Sequence, residues 1–302
     1  MNAGKIIKGY LAAIISAVIY GCMPLMAKYI YADGVTPMTL VFLRNFLALP
    51  LIALMAYTQN KTLKIPLKLF PRVSITALFG GSITPILLFY SYQFIASGTA
   101  TVLHFIYPAL VVLAGIFLKR EKVRWSNLIS VAFCFAGLCL FYTPGASLDW
   151  RGSLLAIASG FTYTAYVLLL ANPKIKQIPS FLFCFYVAVS CSAVMLILCL
   201  VTGQLALPQT LAGWGLSLLF ATGITCGAVV LFQIGTLLIG GQQTSILSTL
   251  EPITSVIVGV VIFHESMGLR TFFGVLLVLL ASVLIALSNF KPRKKEHKKT
   301  AV

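Results

Sequence analysis

Charged residues, and acidic residues above all, are scarce in this chain. Only 9% of its 302 residues are charged, and 6 aspartate or glutamate residues stand against 22 lysine or arginine residues. A soluble domain of ordinary composition carries about 25% charged residues. The scarcity excludes a conventional soluble protein and leaves few carboxylates from which to build an acid–base or metal centre.

Recognisable catalytic motifs are also missing from the sequence. It has no His-Glu-x-x-His pair of zinc ligands and no Gly-x-x-x-x-Gly-Lys-Ser/Thr phosphate-binding loop. We therefore expect no enzymatic activity, no cofactor and no pumping driven by nucleotide hydrolysis. His264 and Glu265 follow an apolar stretch without a second histidine, and we interpret them as a helix boundary.

The seven cysteines give no sign of a disulfide or metal framework. All lie inside apolar stretches, and none has the spacing of metal ligands. We expect free cysteines that pack against neighbouring helices or face lipid, and no bound metal.

What the sequence has in abundance is apolar residues, which make up 60% of the chain. They form ten stretches, each close to the roughly 20 residues that a helix needs to cross a bilayer core. The sequence therefore predicts an all-α membrane protein with ten transmembrane helices. The stretches, numbered helices 1 to 10 in the prediction, cover 9–31, 37–58, 72–96, 99–118, 126–143, 152–171, 180–202, 211–236, 242–263 and 270–289.

The second half of the chain repeats the first. Residues 97–141 align without a gap on 241–285 at an offset of 144, and the opening segments align at an offset of 143, which places Tyr20 on Tyr163. We predict a first five-helix repeat over 1–145, a second over 146–290 and a basic cytoplasmic tail over 291–302. Because five is an odd number of crossings, the second copy enters the membrane from the opposite side, so the repeats are inverted. Such inverted repeats place a binding site between the halves.

The net charge of +16 could suggest nucleic acid as a partner, but the positions of the basic residues point to a membrane. If both termini share one side, eighteen basic residues lie on that side and only Arg151 and Arg270 lie on the other. Cytoplasmic loops carry this excess of lysine and arginine. We predict a multi-pass protein of the cytoplasmic (inner) membrane with both termini in the cytoplasm and no contact with nucleic acid.

Four predicted helices carry polar faces near their middle. Helical spacing of three or four residues aligns these side chains along one face of otherwise apolar helices 1, 4, 6 and 9. Interhelical packing is the alternative role for such faces. The six residues that we predict to bind substrate in a central cavity are Tyr20, His104, Tyr107, Tyr163, Ser248 and Glu251.

Three charged residues inside the apolar stretches are candidates for coupling or ion pairing, because a charge in lipid is costly. Lys28 lies near the outer end of helix 1, where its long side chain can reach the headgroups. Arg44 lies two turns into helix 2, where capping of carbonyls, ion pairing and substrate contact are all open. Glu251 is the acidic residue nearest mid-membrane, and we expect it either to bind a substrate amine or to carry a proton.

Residues 42–46, 96–121 and 250–265 resemble the drug/metabolite transporter superfamily, specifically its EamA-type branch of ten-helix transporters. The resemblance extends over nearly the whole chain. It implies a secondary transporter of small organic solutes, whose relatives export amino acids or other metabolites or exchange sugar phosphates or nucleotide sugars.

These observations lead to one functional expectation and two alternatives. We expect an exporter of small organic metabolites such as amino acids that works by alternating access, with protons as a candidate coupling ion. The alternatives are a structural or regulatory membrane protein without transport activity, and a carrier of lipophilic drugs or phosphorylated metabolites. The expected partners are the substrate and the lipid bilayer, with the chain a monomer or a weak homodimer.

Overall fold

The computed structural model describes residues 3–119, 125–141, 149–239, 244, 247–265 and 267–288. Within these ranges the chain is helical and contains no strand. Seven helical segments of the described part are long and apolar enough to cross a membrane, and three more apolar helices are shorter. The all-helical membrane class is thus confirmed, while the count of ten crossings stays a prediction. The predicted repeat boundary at 145–146 and the basic tail lie outside the described residues.

Most of the predicted stretches of the first half are built from two helical pieces. A 3₁₀ turn at Leu67–Leu69 precedes the third stretch, and a π-helical segment at Leu78–Ile83 interrupts it. The α-helices are α1 Ala3–Gly21, α2 Met23–Ala32, α3 Pro37–Phe46, α4 Leu49–Asn60, α5 Phe70–Ala77, α6 Thr84–Ser91, α7 Ser97–His104, α8 Tyr107–Lys119 and α9 Trp125–Phe141.

The second half shares part of this plan, although its first two long segments are each one continuous helix. A π-helical segment at Ala221–Ala228 again interrupts its third long segment. The α-helices are α10 Trp150–Leu170, α11 Pro173–Lys176, α12 Ser180–Val201, α13 Leu211–Phe220, α14 Val229–Ile239, α15 Leu250–Phe263 and α16 Leu269–Ser288.

Side chains at three helix starts explain where the chain turns back into the bundle. Thr36, Asp149 and Thr210 each accept a hydrogen bond from a backbone N–H in the first turn that follows. Such caps satisfy donors that have no partner within the helix.

Two of the helix interruptions recur at equivalent positions of the two halves. The π-helical segment at Leu78–Ile83 maps at the offset of 144 into the segment Ala221–Ala228. The turn at 105–106 between α7 and α8 likewise maps to within one residue of the turn at 248–249 that precedes α15. Irregular turns inside membrane helices are tolerated where they line a cavity or pack against protein. Their duplication therefore points to a shared structural purpose near the middle of the bundle.

The halves interlock by exchanging their first helices. Helix α1 packs on α14 and α15 of the second half, and α10 packs on α6 and α7 of the first. A Cβ added at Gly9 would lie within 2.8 Å of Leu238, and one added at Gly152 within 2.7 Å of Phe94, so both contacts need glycine. Leu238 and Phe94 are equivalent positions of the repeat. The two halves therefore meet through a matched pair of close contacts around one central region.

Candidate substrate cavity

A cavity of about 410 Å³ lies between the two halves. Its walls come from helices of both repeats, including the π-helical residues Gly80 and Thr225. Cavities of about 300 to 1,000 Å³ are typical of small-molecule sites. The volume fits a small organic solute.

The cavity brings together most of the residues that the sequence singles out. Arg44 shares the wall with all six predicted substrate-binding residues, whereas Lys28 lies outside it. Those six are Tyr20, His104, Tyr107, Tyr163, Ser248 and Glu251.

One wall is an aromatic cluster built across the boundary between the halves. The ring centroids of Tyr107 and Tyr163 lie 4.6 Å apart in an edge-to-face arrangement. The ring of His104 lies 5.3 Å from Tyr163 and 5.6 Å from Tyr107, and Tyr166 extends the cluster at 5.4 Å from Tyr163. These distances fall in the range at which aromatic rings attract one another. The cluster thus forms a rigid wall whose phenolic groups can still hydrogen-bond.

His104 is held in one tautomer by the neighbouring half. Its Nδ1 lies 2.8 Å from Ser159 Oγ, and that hydroxyl donates to the carbonyl of Ala156 at 2.6 Å. Because the single hydroxyl proton is directed to Ala156, the Ser159 oxygen accepts the proton of Nδ1. In the neutral ring, Nε2 is then the acceptor.

Arg44 enters the cavity from the end of α3 with part of its hydrogen-bonding capacity unused. Its Cζ lies 5.9 Å from the ring centroid of Phe89, within cation–π range. Its Nε is buried and has no partner among the described residues. A buried donor without an acceptor is unfavourable, so the guanidinium is suited to an acceptor that arrives from outside the protein.

Glu251 lies in the first turn of α15, directly after the turn at 248–249. Within the described residues, the one ion pair that meets a 4.0 Å limit joins Lys28 and Glu265, so Glu251 and Arg44 are not paired with each other. Tyr20 lines the same cavity as both. The cavity therefore presents a guanidinium and a carboxyl group, not paired with each other, to the same space.

Glu265, predicted only to mark a helix boundary, also makes contacts with two other helices. Glu265 Oε1 accepts hydrogen bonds from Lys28 Nζ at 2.7 Å and from both the backbone N–H and the hydroxyl of Ser97 at 3.0 Å. Burial by itself raises the pKa of this carboxyl, but the hydrogen bonds and the lysine charge outweigh it and hold the pKa below its ordinary value. The group is therefore ionised at neutral pH.

Sequence reasoning missed several contacts in the cavity and at the end of the bundle. Phe89, under Arg44, and Thr84, whose hydroxyl lies 2.7 Å from that of Thr162, lie on stretches that carry no distinctive motif. The repeat alignment pairs Ser159 with Ser16, which could have marked Ser159 as a candidate. Its hydrogen bond to His104 could not be predicted, because it depends on which helix faces meet. The Lys28–Glu265 pair joins residues 237 positions apart, and no local pattern links them.

The sequence profile of the EamA-like transporter family matches this chain twice, over residues 7–143 and 150–287. The chain therefore belongs to the EamA-like transporter family, and the resemblance noted from its motifs is confirmed. It is a multi-pass membrane protein of a transporter family.

Individual relatives agree with this assignment. An "uncharacterized transporter" of Archaeoglobus fulgidus is 26% identical over 283 residues, covering 92% of this chain and 96% of the relative. The "S-adenosylmethionine uptake transporter" of Rickettsia prowazekii is 23% identical and covers 66% of each chain. A crystal structure with 17% identity superposes with a TM-score of 0.63 over 93% of this chain and 98% of its own, which supports the fold alone.

Proposed function

We propose that the chain is a secondary transporter that exports small zwitterionic metabolites such as amino acids across the cytoplasmic membrane. Its ten helices form two inverted repeats, and substrate binds in the cavity between them and crosses by alternating access. The observation that carries this proposal is that Arg44 and Glu251 line one cavity without pairing with each other.

A zwitterion offers a partner to both groups at once. A substrate carboxylate pairs with the guanidinium of Arg44, whose Nε has a free hydrogen, and a charge-assisted bond of this kind is stronger than a neutral one. A substrate ammonium approaches Glu251 and the faces of Tyr20 and Tyr163, where a carboxylate and aromatic rings both attract a cation. The acceptor Nε2 of His104 is available for a further donor of the substrate.

The Rickettsia relative's name suggests one molecule to include as a probe. S-adenosylmethionine carries the same amino-acid zwitterion, attached to a larger cationic group. A cavity of about 410 Å³ favours the smaller amino acids. We therefore propose a counterflow panel of radiolabelled amino acids with S-adenosylmethionine added, measured in proteoliposomes with each orientation of the protein to establish the direction of transport.

Glu251 supplies the test of mechanism. The Glu251→Gln variant keeps the side-chain size and removes the charge, and Glu296→Gln in the basic tail is the matched control. If Glu251 carries the coupling proton, Glu251→Gln loses accumulation driven by a pH gradient but retains counterflow. If Glu251 binds the substrate ammonium, both activities are lost. Wild-type behaviour of Glu251→Gln in both assays would refute either role.

Arg44 supplies the test of substrate class. Arg44→Gln should weaken counterflow of amino acids far more than that of the corresponding decarboxylated amines. Only the amino acid has a carboxylate, and the variant removes the guanidinium that would pair with it. Equal loss for both substrates would contradict the assignment of the carboxylate to Arg44.

A further inference from the structure

A contact at one end of the bundle joins three helices that line the cavity deeper in. Lys28 lies on α2, Ser97 is the first residue of α7, and Glu265 follows the end of α15. The Lys28 ammonium, the Ser97 backbone N–H and the Ser97 hydroxyl all donate to one carboxylate oxygen of Glu265. The Lys28 ammonium also lies 4.1 Å from the ring centroid of Phe263. The side chains of Lys28 and Glu265 are 26% and 13% exposed, so this contact is shielded but lies near the surface.

Below this contact α15 packs closely against both α7 and the end of α1. A Cβ added at Gly98 would lie 2.9 Å from the Cα of Val256, so α7 and α15 touch through their backbones. A Cβ added at Gly21 would lie 2.4 Å from the Cβ of Thr254, which brings the end of α1 equally close to α15. The cavity wall accordingly includes none of the residues 24–32, 97–103 or 252–263.

The lysine of this ion pair has no charged counterpart in the repeat. At the repeat offset of 143 the counterpart of Lys28 is Ala171, which has no charge with which to form an equivalent ion pair. The predicted topology places Lys28, Ser97 and Glu265 at the external end. An ion pair with no repeat counterpart favours the conformation in which this end is shut.

We propose that Lys28, Ser97 and Glu265 form an external gate that closes the cavity and must open for substrate to be released outside. The inference rests on the proposed transport function and on the predicted orientation. Helix α15 connects the gate to the cavity, since Glu251 lies in its first turn and Glu265 just beyond its last, about 21 Å away for a helix of 14 residues. A tilt of this one helix therefore changes the cavity and the gate together.

The test uses Cys184, a native cysteine on the cavity wall. The other six cysteines are replaced by alanine or serine, and a membrane-impermeant thiol reagent is added to intact cells, with everted vesicles measured in parallel. We expect slow labelling of Cys184 from outside in the parent protein and at least tenfold faster labelling after Lys28→Gln or Glu265→Gln. The charge-exchanged double variant, Lys28→Glu with Glu265→Lys, should restore slow labelling. Arg270→Gln, which removes a predicted external charge from the exposed start of α16, is the control and should leave the rate unchanged.

The outcomes of this experiment test the gate independently of the proposed substrate. If the single variants label from outside no faster than the parent, the gate is refuted. If the double variant folds but remains fast, the ion pair is not what closes this end. If the single variants speed labelling only in everted vesicles, the ion pair lies at the cytoplasmic end and the external gate is wrong. If every probe fails in counterflow while the labelling pattern is as expected, the gate stands and the substrate proposal fails.

Discussion

Two substitutions of Tyr163, in the aromatic wall of the cavity, distinguish a role in substrate binding from a role in helix packing. Its ring contacts His104, Tyr107 and Tyr166 at centroid distances of 5.3, 4.6 and 5.4 Å. Each such contact contributes about 0.5–1.5 kcal/mol beyond area burial. Tyr163→Ala removes all three and should lower the free energy of unfolding by roughly 2–4 kcal/mol. Tyr163→Phe keeps the rings in contact and removes only the hydroxyl.

The hydroxyl of Tyr163 has no hydrogen-bond partner within the described residues, and the side chain lines the cavity. If it bonds to substrate, Tyr163→Phe loses one hydrogen bond worth about 0.5–1.5 kcal/mol. That loss corresponds to a roughly two- to tenfold higher KM. The thermal stability of Tyr163→Phe should remain that of the parent protein.

Both quantities are measurable on the same purified variants. Thermal unfolding in detergent reports stability, and counterflow in proteoliposomes reports KM for the best amino acid of the panel. Tyr57→Phe, on an exposed tyrosine of α4, is the matched control. An unchanged KM in Tyr163→Phe, together with a stability loss in Tyr163→Ala, would show that the wall packs without contacting substrate.

Three further predictions address topology, packing and pH. A cysteine introduced at Asp149 should react with an impermeant reagent from outside only, since the predicted repeats place this residue externally, and reaction from the cytoplasm alone would overturn the inverted arrangement. Gly98→Val should reduce the yield of folded protein sharply because its side chain would meet the backbone of Val256, whereas Gly215→Val, with open space around its Cα, should not. Hydrogen bonds from Thr210 and Gln209 hold the pKa of Asp33 below its ordinary value, so its stabilising contribution is present at neutral pH and is lost as the pH falls through that lowered pKa. Asp33→Asn should therefore flatten the fall of the melting temperature with acid, and an identical pH profile in the variant would contradict this.

The chain's class and internal duplication are readable without a structure because both are carried by local or repeated patterns. Apolar runs of the length of a bilayer core predict membrane helices wherever they occur. The alignment of Tyr20 with Tyr163 needs only the sequence, and helical spacing places His104 and Tyr107 on one face of their helix. These features sufficed to select six residues that line a common cavity.

Other features depended on the way that helices cross. Helical periodicity tells which residues share a face but not which other face it meets, and the exchange of α1 and α10 between the halves is a property of the packed bundle. The sequence left three roles open for Arg44: capping of carbonyls, ion pairing and substrate contact. The placement of Phe89 beneath its guanidinium follows only from the packing of α3 against α6. Glu265 looked like the end of a helix because its partner Lys28 lies 237 residues away. Contacts between such distant residues are decided by tertiary packing, since the membrane supplies the same apolar surroundings to every helix and only close shape and charge complementarity selects the neighbours.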